Sequence, residues 1–558
     1  MMTDMPDTTS TEGLAAAADA WAAVLGPQNV LRESPAVAPY ACTTLPAAPG
    51  PAGVIRPGTA GEVVEAVRIA NRYGVPLYPI SRGKNWGYGD ACPPTAGQVI
   101  VDLGRMDRIV EVNEELAYAV IEPGVTQRQL SDHLREIGTR LWLDCTGAGP
   151  DASVVGNVVD RGFGHTPYGQ RFHHVSGIEA VLGDGQVLRT GFGHYRAART
   201  AHIAPYGPGP VLDGLLTQSN VAIVTRLGLW LMPQPESFCF VVCFLHDPDD
   251  VVPAVDALRG LRLDGTIRSV AHVANDLRAV SSGRVFPRTL AGDRAPLSAD
   301  WRARLRREAG VGVWTITAGL YGRKAQVAAA RRAIAKTFRR RGRELHFLTP
   351  QLLKAGDAAA RLLRFTPLGP RLTEKMLRPR KVLDLHCGVP SGHFLAGAYW
   401  RHRDGLPPDF PEGCDPAQDN CGLLWLSPVV PMTGAAVRAF LALVEPIYAA
   451  HGFDFLITLS TVTDRALGAV MTVAYDRDDS DEAARAMDCY QALWAAVMDG
   501  GYIPYRVGIQ SMADLGRGSD GYWGTVAAVR RALDPGGIIA PGRYEPASGR
   551  PETMGEDG

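Results

Sequence analysis

The chain lacks any run of the ~18 to 20 apolar residues that a membrane-spanning helix needs, so no membrane partner is expected. It also lacks a surplus of either charge: 57 Lys and Arg stand against 58 Asp and Glu, a formal net charge of −1. That balance argues against nucleic acid or an anionic surface and for a small or neutral substrate. Its nine cysteines (42, 92, 145, 239, 243, 387, 414, 421, 489) are odd in number and include no CxxC pair. A disulfide framework is therefore not expected, and a reducing compartment is. The opening MMTDMPDTTSTEG carries acids where a secretory signal needs Lys or Arg, and the alanine-rich stretch after it reads as an ordinary helix. A cytoplasmic protein is the expectation. With 558 residues, 46% of them hydrophobic, the chain can bury large cores in two or three domains.

The first part of the chain alternates short strands and helices. GEVVEAVRIANRYG has helical periodicity ending on glycine, and PLYPIS follows as a strand. QVIVDL, RIVEVN and AYAVIEPG read as strands, Thr126 and Gln129 as a capping box for the next helix, and LWLDC as a resumed strand. GIEAVLGDGQVLRTG reads as a hairpin turning at Gly183, Asp184 and Gly185. Beyond about residue 235 the units lengthen to strand, helix, strand without glycine-rich loops, which predicts an antiparallel sheet covered by helices. RHRDGLPPDFPEGCDPAQDN is a long loop that is expected to border a site. The basic run FRRRGR (338 to 343) reads as a solvated helix end.

After the apolar run VPLYPI the sequence reads ISRGKNWGYGDACPP. Gly83, Gly87 and Gly89 let backbone amides turn toward one point, and Ser81, Arg82, Lys84 and Asn85 add donors, a composition suited to a pyrophosphate or to a plain surface loop. It is no P-loop, since no Ser or Thr follows Gly-Lys. GAGPDA at 147 to 152 imitates a dinucleotide fingerprint, but Pro150 sits inside it and no acidic strand end follows about 20 residues later. His173 and His174 are adjacent on an expected strand, pointing to opposite faces, so no metal site is expected. Cys239 and Cys243 share a strand face and read as core.

The order ISRGKNWGYG, QVIVDLGRM, YAVIEPGV, SVVGNVVDRGFGHTPYG, VLDGLLTQSNVAIVTRLGLWLMPQP, LLWLSPVVPMTG, YIPYRVGIQ and DPGGIIAPGRY resembles the vanillyl-alcohol oxidase and 4-cresol dehydrogenase (methylhydroxylase) family of FAD-dependent oxidoreductases, from about residue 50 to 545. The resemblance implies an α+β, two-domain FAD-binding fold of the vanillyl-alcohol oxidase type with an antiparallel-sheet cap domain covered by helices. Residues 1–235 would form the main FAD-binding part, 236–499 the cap, and 500–558 a tail completing the site. It implies that Ser81, Arg82, Gly83, Lys84, Asn85 and Gly87 cradle the pyrophosphate, that Ser153, Gly156, Asn157 and Gly162 line the flavin and its chain, that Ile223 contributes backbone to the adenine or ring edge, and that Arg543 is a further contact. Tyr88, Tyr505 and Arg506 would stabilise a substrate phenolate, and hydride would pass from a benzylic carbon to the flavin through a quinone methide-like intermediate. A small phenolic substrate, oxygen or a cytochrome as electron acceptor, and homo-oligomers are likewise implied.

Three departures from the family pattern stand out. His165 occupies a tyrosine position and is a candidate acid–base group. Ala148 stands near the place of an aspartate beside the flavin, with Asp151 offset. Leu423 replaces the histidine that tethers the flavin, and Cys421 is near but not aimed by strand alternation, so dissociable FAD is expected. Two other readings stay open. One is an FAD-dependent oxidase of another alcohol class or a biosynthetic tailoring enzyme; the other is a flavin-binding protein without turnover.

Overall fold

In the computed structural model, which describes residues 11–293, 295–339, 344–362, 366, 380–516 and 521–547, three main sheets carry the fold. Val30–Leu31, Gly53–Ile55, Val99–Asp102 and Leu77–Ile80 form the first, in that order, with the last three strands mutually parallel. Parallel neighbours need a crossover, and helix Ala60–Tyr73 supplies it. Thr59 caps that helix by accepting from Glu62 N at 3.1 Å, and Gly74 ends it in the left-handed region. Val63, Ala66, Val67 and Ala70 on its inner face pack on the sheet together with Trp21 of helix Thr11–Leu25.

The second sheet is antiparallel, ordered Ile109–Asn113, Tyr118–Ile121, Ala222–Trp230, Val175–Leu182, Val187–Arg189. The expected hairpin is there: Asp184 accepts from Gln186 N at 2.8 Å and Gly185 takes φ +83. The capping box is half present, because Thr126 accepts from Gln129 N while the Gln129 amide turns away to the Asp107 carbonyl. LWLDC is a strand only at Leu141–Trp142, and GAGPDA is a turn whose Gly147 and Gly149 let Phe394 and Leu395 approach closely. His173 and His174 lie in the short turn Arg171–His174 rather than on a strand. The buried Arg171 side chain reaches in to Asp144, and the chain curls with it.

The third sheet has eight strands, antiparallel throughout, ordered Glu344–Leu348, Ser237–Leu245, Trp314–Gly322, His272–Asn275, Leu456–Thr461, Ala466–Tyr475, Gly422–Pro431, Pro504–Arg506. Alternation divides its residues cleanly. Cys239, Cys243, Ile316, Val273, Leu459, Met471 and Leu424 on one face enter a core with helices Val251–Leu263, Lys324–Phe338, Gly434–Ala450 and Ser480–Asp499. Trp425, Thr472, Gly468, Ser460 and His272 alternate with those residues and face the other way, toward the first two sheets. The basic run at 338–343 is described only through Arg339; the rest lies outside the described residues.

After Arg506 the chain returns to where it began. Leu77 N donates to the Ile538 carbonyl at 2.8 Å, Ala540 N donates to the Leu77 carbonyl at 2.6 Å, and Ile539 is fully buried among residues of the first core. Ile539→Ala is therefore expected to cost about 2–5 kcal/mol, read as a lower denaturant midpoint. An unchanged midpoint would mean that the tail adds nothing to that core.

Candidate active site

A cavity lies between the first two sheets and the polar face of the third, and the loop after strand Leu77–Ile80 forms one wall of it. Glycine is required where this loop passes under the third sheet. A Cβ on Gly87 (φ +75) would fall 2.8 Å from Trp425 Cγ, and one on Gly89 (φ +119) 2.7 Å from Ile509 Cγ1. Backbone bonds hold the crossing: Trp425 N to the Gly87 carbonyl at 3.1 Å and Ile509 N to the Tyr88 carbonyl at 3.0 Å.

Tyr88, pinned between them, shares a 2.6 Å hydrogen bond with Ser427 Oγ and meets the Trp425 ring edge-on at 5.7 Å. The Arg506 guanidinium lies 4.5 Å from the centre of the Tyr88 ring. Its Nη2 donates to Asn85 Oδ1 and, at 3.3 Å, to Asp160 Oδ2, while Asp160 Oδ1 accepts from Arg543. Burial alone would raise the Asp160 pKa, but Arg543 and Arg506 outweigh it and hold the carboxyl below its ordinary range. Burial raises the pKa of Tyr88, against the pull of Arg506 and Ser427, and that of Tyr505, where Tyr88 adds to the rise. Both phenols therefore stay protonated and can donate. The Tyr505 ring sits 5.8 Å from Phe163, and its carbonyl accepts from Gln218 at 2.9 Å.

Of the residues singled out in the sequence, Ser81, Arg82, Gly83, Lys84, Asn85, Tyr88, Ser153, Gly156, Asn157, Arg506 and Arg543 line this one cavity. The others stand off. Gly87 lies beneath Trp425, and Gly162 gives room to Asn157. Ile223 points into the first core, while its neighbours Ala222 and Val224 reach the cavity. Lys84 is neutralised by Asp415, which also accepts from Trp86 Nε1 at 3.2 Å, so the long loop 401–420 does border the site. His165 is grouped with His272 and His386, at ring distances of 4.6 and 5.3 Å. Burial, then His386 and Arg171, hold its pKa well below 6.5, leaving a neutral imidazole. Among the described residues no three His, Cys, Asp or Glu side chains converge to hold a metal.

The cavity suits an elongated cofactor with an anionic portion. Asp160 is shared by two arginines, which leaves net positive charge. Among the described residues Arg506 Nε and Trp425 Nε1 are buried without partners, and glycine at 156 lets Ser81 Oγ come within 3.2 Å of where a Cβ would stand. A family model described as an FAD binding domain matches residues 51–191, which include this loop and Ser153 to Gly162. The chain is 40% identical over 547 residues to a 1'-carboxy-chondrochloren decarboxylase of Chondromyces crocatus, covering 96% of this chain and 98% of the relative. It is 31% identical over 529 residues to the 4-cresol dehydrogenase [hydroxylating] flavoprotein subunit of Pseudomonas putida, covering 93% of each. A crystal structure of p-cresol methylhydroxylase with substrate bound superposes with a TM-score of 0.85 at 30% identity, over 97% of this chain and 98% of that one. Fold and cavity thus define an FAD-dependent oxidoreductase. Within that class the chain belongs to the vanillyl-alcohol oxidase and 4-cresol dehydrogenase family.

Asp160, Ser427, Trp425 and Asp415 were not singled out by the sequence reading, although Asp160 stands inside the quoted SVVGNVVDRG. Asp160→Asn would leave two buried guanidinium groups without their carboxylate and is expected to cost about 3–5 kcal/mol. Because the folded pKa of Asp160 is depressed, this stabilisation is complete above the unfolded value of about 3.9 and is lost as pH falls through the folded pKa. Melting curves of both proteins against pH should show a gap at neutral pH that closes only at the acid end.

Proposed function

We propose that the protein oxidises 4-alkylphenols or para-hydroxybenzylic alcohols, with Tyr88, Tyr505 and Arg506 as the phenolate site. One observation carries the reading: two protonated tyrosines and a paired, permanently charged guanidinium gather beside the cofactor cavity. A free phenol has a pKa of about 10, and such donors favour its anion. The phenolate pushes electron density to the benzylic carbon, and bound FAD supplies the acceptor for the hydride that leaves. Water adding to the resulting para-quinone methide gives a benzylic alcohol; a starting alcohol gives up its hydroxyl proton and becomes an aldehyde. Asp160 keeps Arg506 oriented, Ser427 fixes Tyr88, and neutral His165 offers a hydrogen bond rather than a charge. Ser81 to Asn85, Ser153, Gly156, Asn157 and Arg543 would hold FAD. The parts divided near residues 235 and 500 would act as base, cover and closing tail, with oxygen or a cytochrome taking the electrons.

The names of the 4-cresol relative and of the superposing methylhydroxylase support this reading. A second reading, supported by the relative named a decarboxylase, differs after hydride loss. A carboxylate on the carbon next to the benzylic one leaves as CO2, and its bonding pair forms a side-chain double bond and restores the phenolate ring. Carbon dioxide released from 3-(4-hydroxyphenyl)propanoate separates the two.

The FAD-loaded protein, mixed anaerobically with 4-ethylphenol or vanillyl alcohol, is expected to bleach. A flavin that no phenol or alcohol reduces would overturn oxidation and favour a binding role. Tyr505→Phe and Arg506→Ala should each lower kcat/KM for a phenol about 10²–10³-fold; near-normal values would remove the phenolate site. With leucine at 423, acid precipitation should leave the flavin in the supernatant; yellow precipitate would reveal a covalent tether elsewhere.

A further inference from the structure

The polar face of the eight-stranded sheet leads to a charged group that the phenol chemistry leaves unused. Helix Asp276–Ser281 follows strand His272–Asn275 directly, capped by Asn275, which accepts from Arg278 N at 3.0 Å. The Arg278 guanidinium lies against Gly397, where any Cβ would overlap Nη1. It is deep in the protein, and its pKa is lowered by desolvation with no carboxylate offsetting it, yet it keeps accessible surface. Among the described residues the guanidinium makes no ion pair and no hydrogen bond. Other buried arginines all have a partner: Arg171 has Asp144, Arg401 has Glu482, and Arg506 and Arg543 share Asp160. A guanidinium stays charged wherever it is, so one buried without a carboxylate among the described residues is a place for an anion.

Its surroundings suit one. His272 lies close enough to feel the Arg278 charge; its Nδ1 meets Ser460 Oγ at 2.8 Å, and its Nε2 is buried without a partner. The site is also in line with the phenol anchor. A Cβ on Gly468 would sit 3.6 Å from Tyr505 Cε1; Gly468 faces Ser460 across the sheet, and Ser460 faces His272. Two strand spacings, roughly 10 Å, separate Gly468 from His272. That reach suits a para-substituted ring with a short side chain.

We infer that Arg278 and His272 form an anion subsite that receives a carboxylate on the side chain of the substrate, which makes the substrate class 4-hydroxyphenyl compounds with a carboxylate a few bonds beyond the benzylic carbon. The inference rests on the phenolate site of the proposed function. The test uses FAD-loaded enzyme reduced with dithionite, in which no turnover occurs, titrated calorimetrically with 3-(4-hydroxyphenyl)propanoate and with 4-propylphenol. The native protein should bind the propanoate at least tenfold more tightly. That preference should vanish in Arg278→Met and survive in part in Arg278→Lys. Should Arg278→Met not fold, Gly397→Ala, which displaces the guanidinium, should lose the preference as well. Equal binding of the two probes by the native protein, or an unchanged preference in the variants, overturns the subsite alone. Failure of both probes to bind overturns the phenol reading and the subsite with it.

Discussion

The site depends on one buried carboxylate. Asp160 ends the helix Val154–Val159 of the first half of the chain, and its two oxygens take Arg506 from the last strand of the third sheet and Arg543 from the tail. Three segments that meet nowhere else in the sequence are brought to one point by a charge that could not be buried alone. Arg506 in turn fixes Asn85 and faces Tyr88, so the loop after strand Leu77–Ile80 and the buried tyrosine in it inherit their positions from the same ion.

The third sheet works by asymmetry. Its apolar face is sealed by four helices, which frees the opposite face from supplying core and lets it carry Trp425, Ser460, Gly468, Thr472 and His272. A cover of this kind is rigid because it is stabilised from behind. The cavity need contribute nothing to its stability, and its lining is free to answer to a ligand.

Much of this was legible in the sequence for a local reason. The crossover helix announced itself through Thr59, its apolar spacing and Gly74; the hairpin through its Gly-Asp-Gly turn; the turning loop after Leu77–Ile80 through Gly83, Gly87 and Gly89, all of positive φ. Signals of this sort reside within a few residues. What the sequence withheld is non-local. Asp160 and Arg506 are 346 positions apart, and nothing in VVDRG tells which cation its acid will meet. The histidines at 173 and 174 read as strand because the inward pull of Asp144 on Arg171 is a tertiary effect. Ile223 turns its side chain into the first core while its two neighbours line the cavity, since a one-residue step along a strand reverses the face. Arg278 carried no motif, and that its guanidinium has no carboxylate partner among the described residues is something only three dimensions reveal.

The return of residues 538–540 to the edge of the first sheet bears on how the molecule is made. The strand they complete, Leu77–Ile80, leaves the ribosome more than 450 residues earlier, while Arg543 must still arrive before Asp160 is fully paired. Domains form as they emerge. Here the first sheet waits with an open edge until residues 538–540 have been made, so the cavity closes only after them. A chain cut before residue 538 would have the loop after Leu77–Ile80 without the segment that completes its sheet and without Arg543 for Asp160.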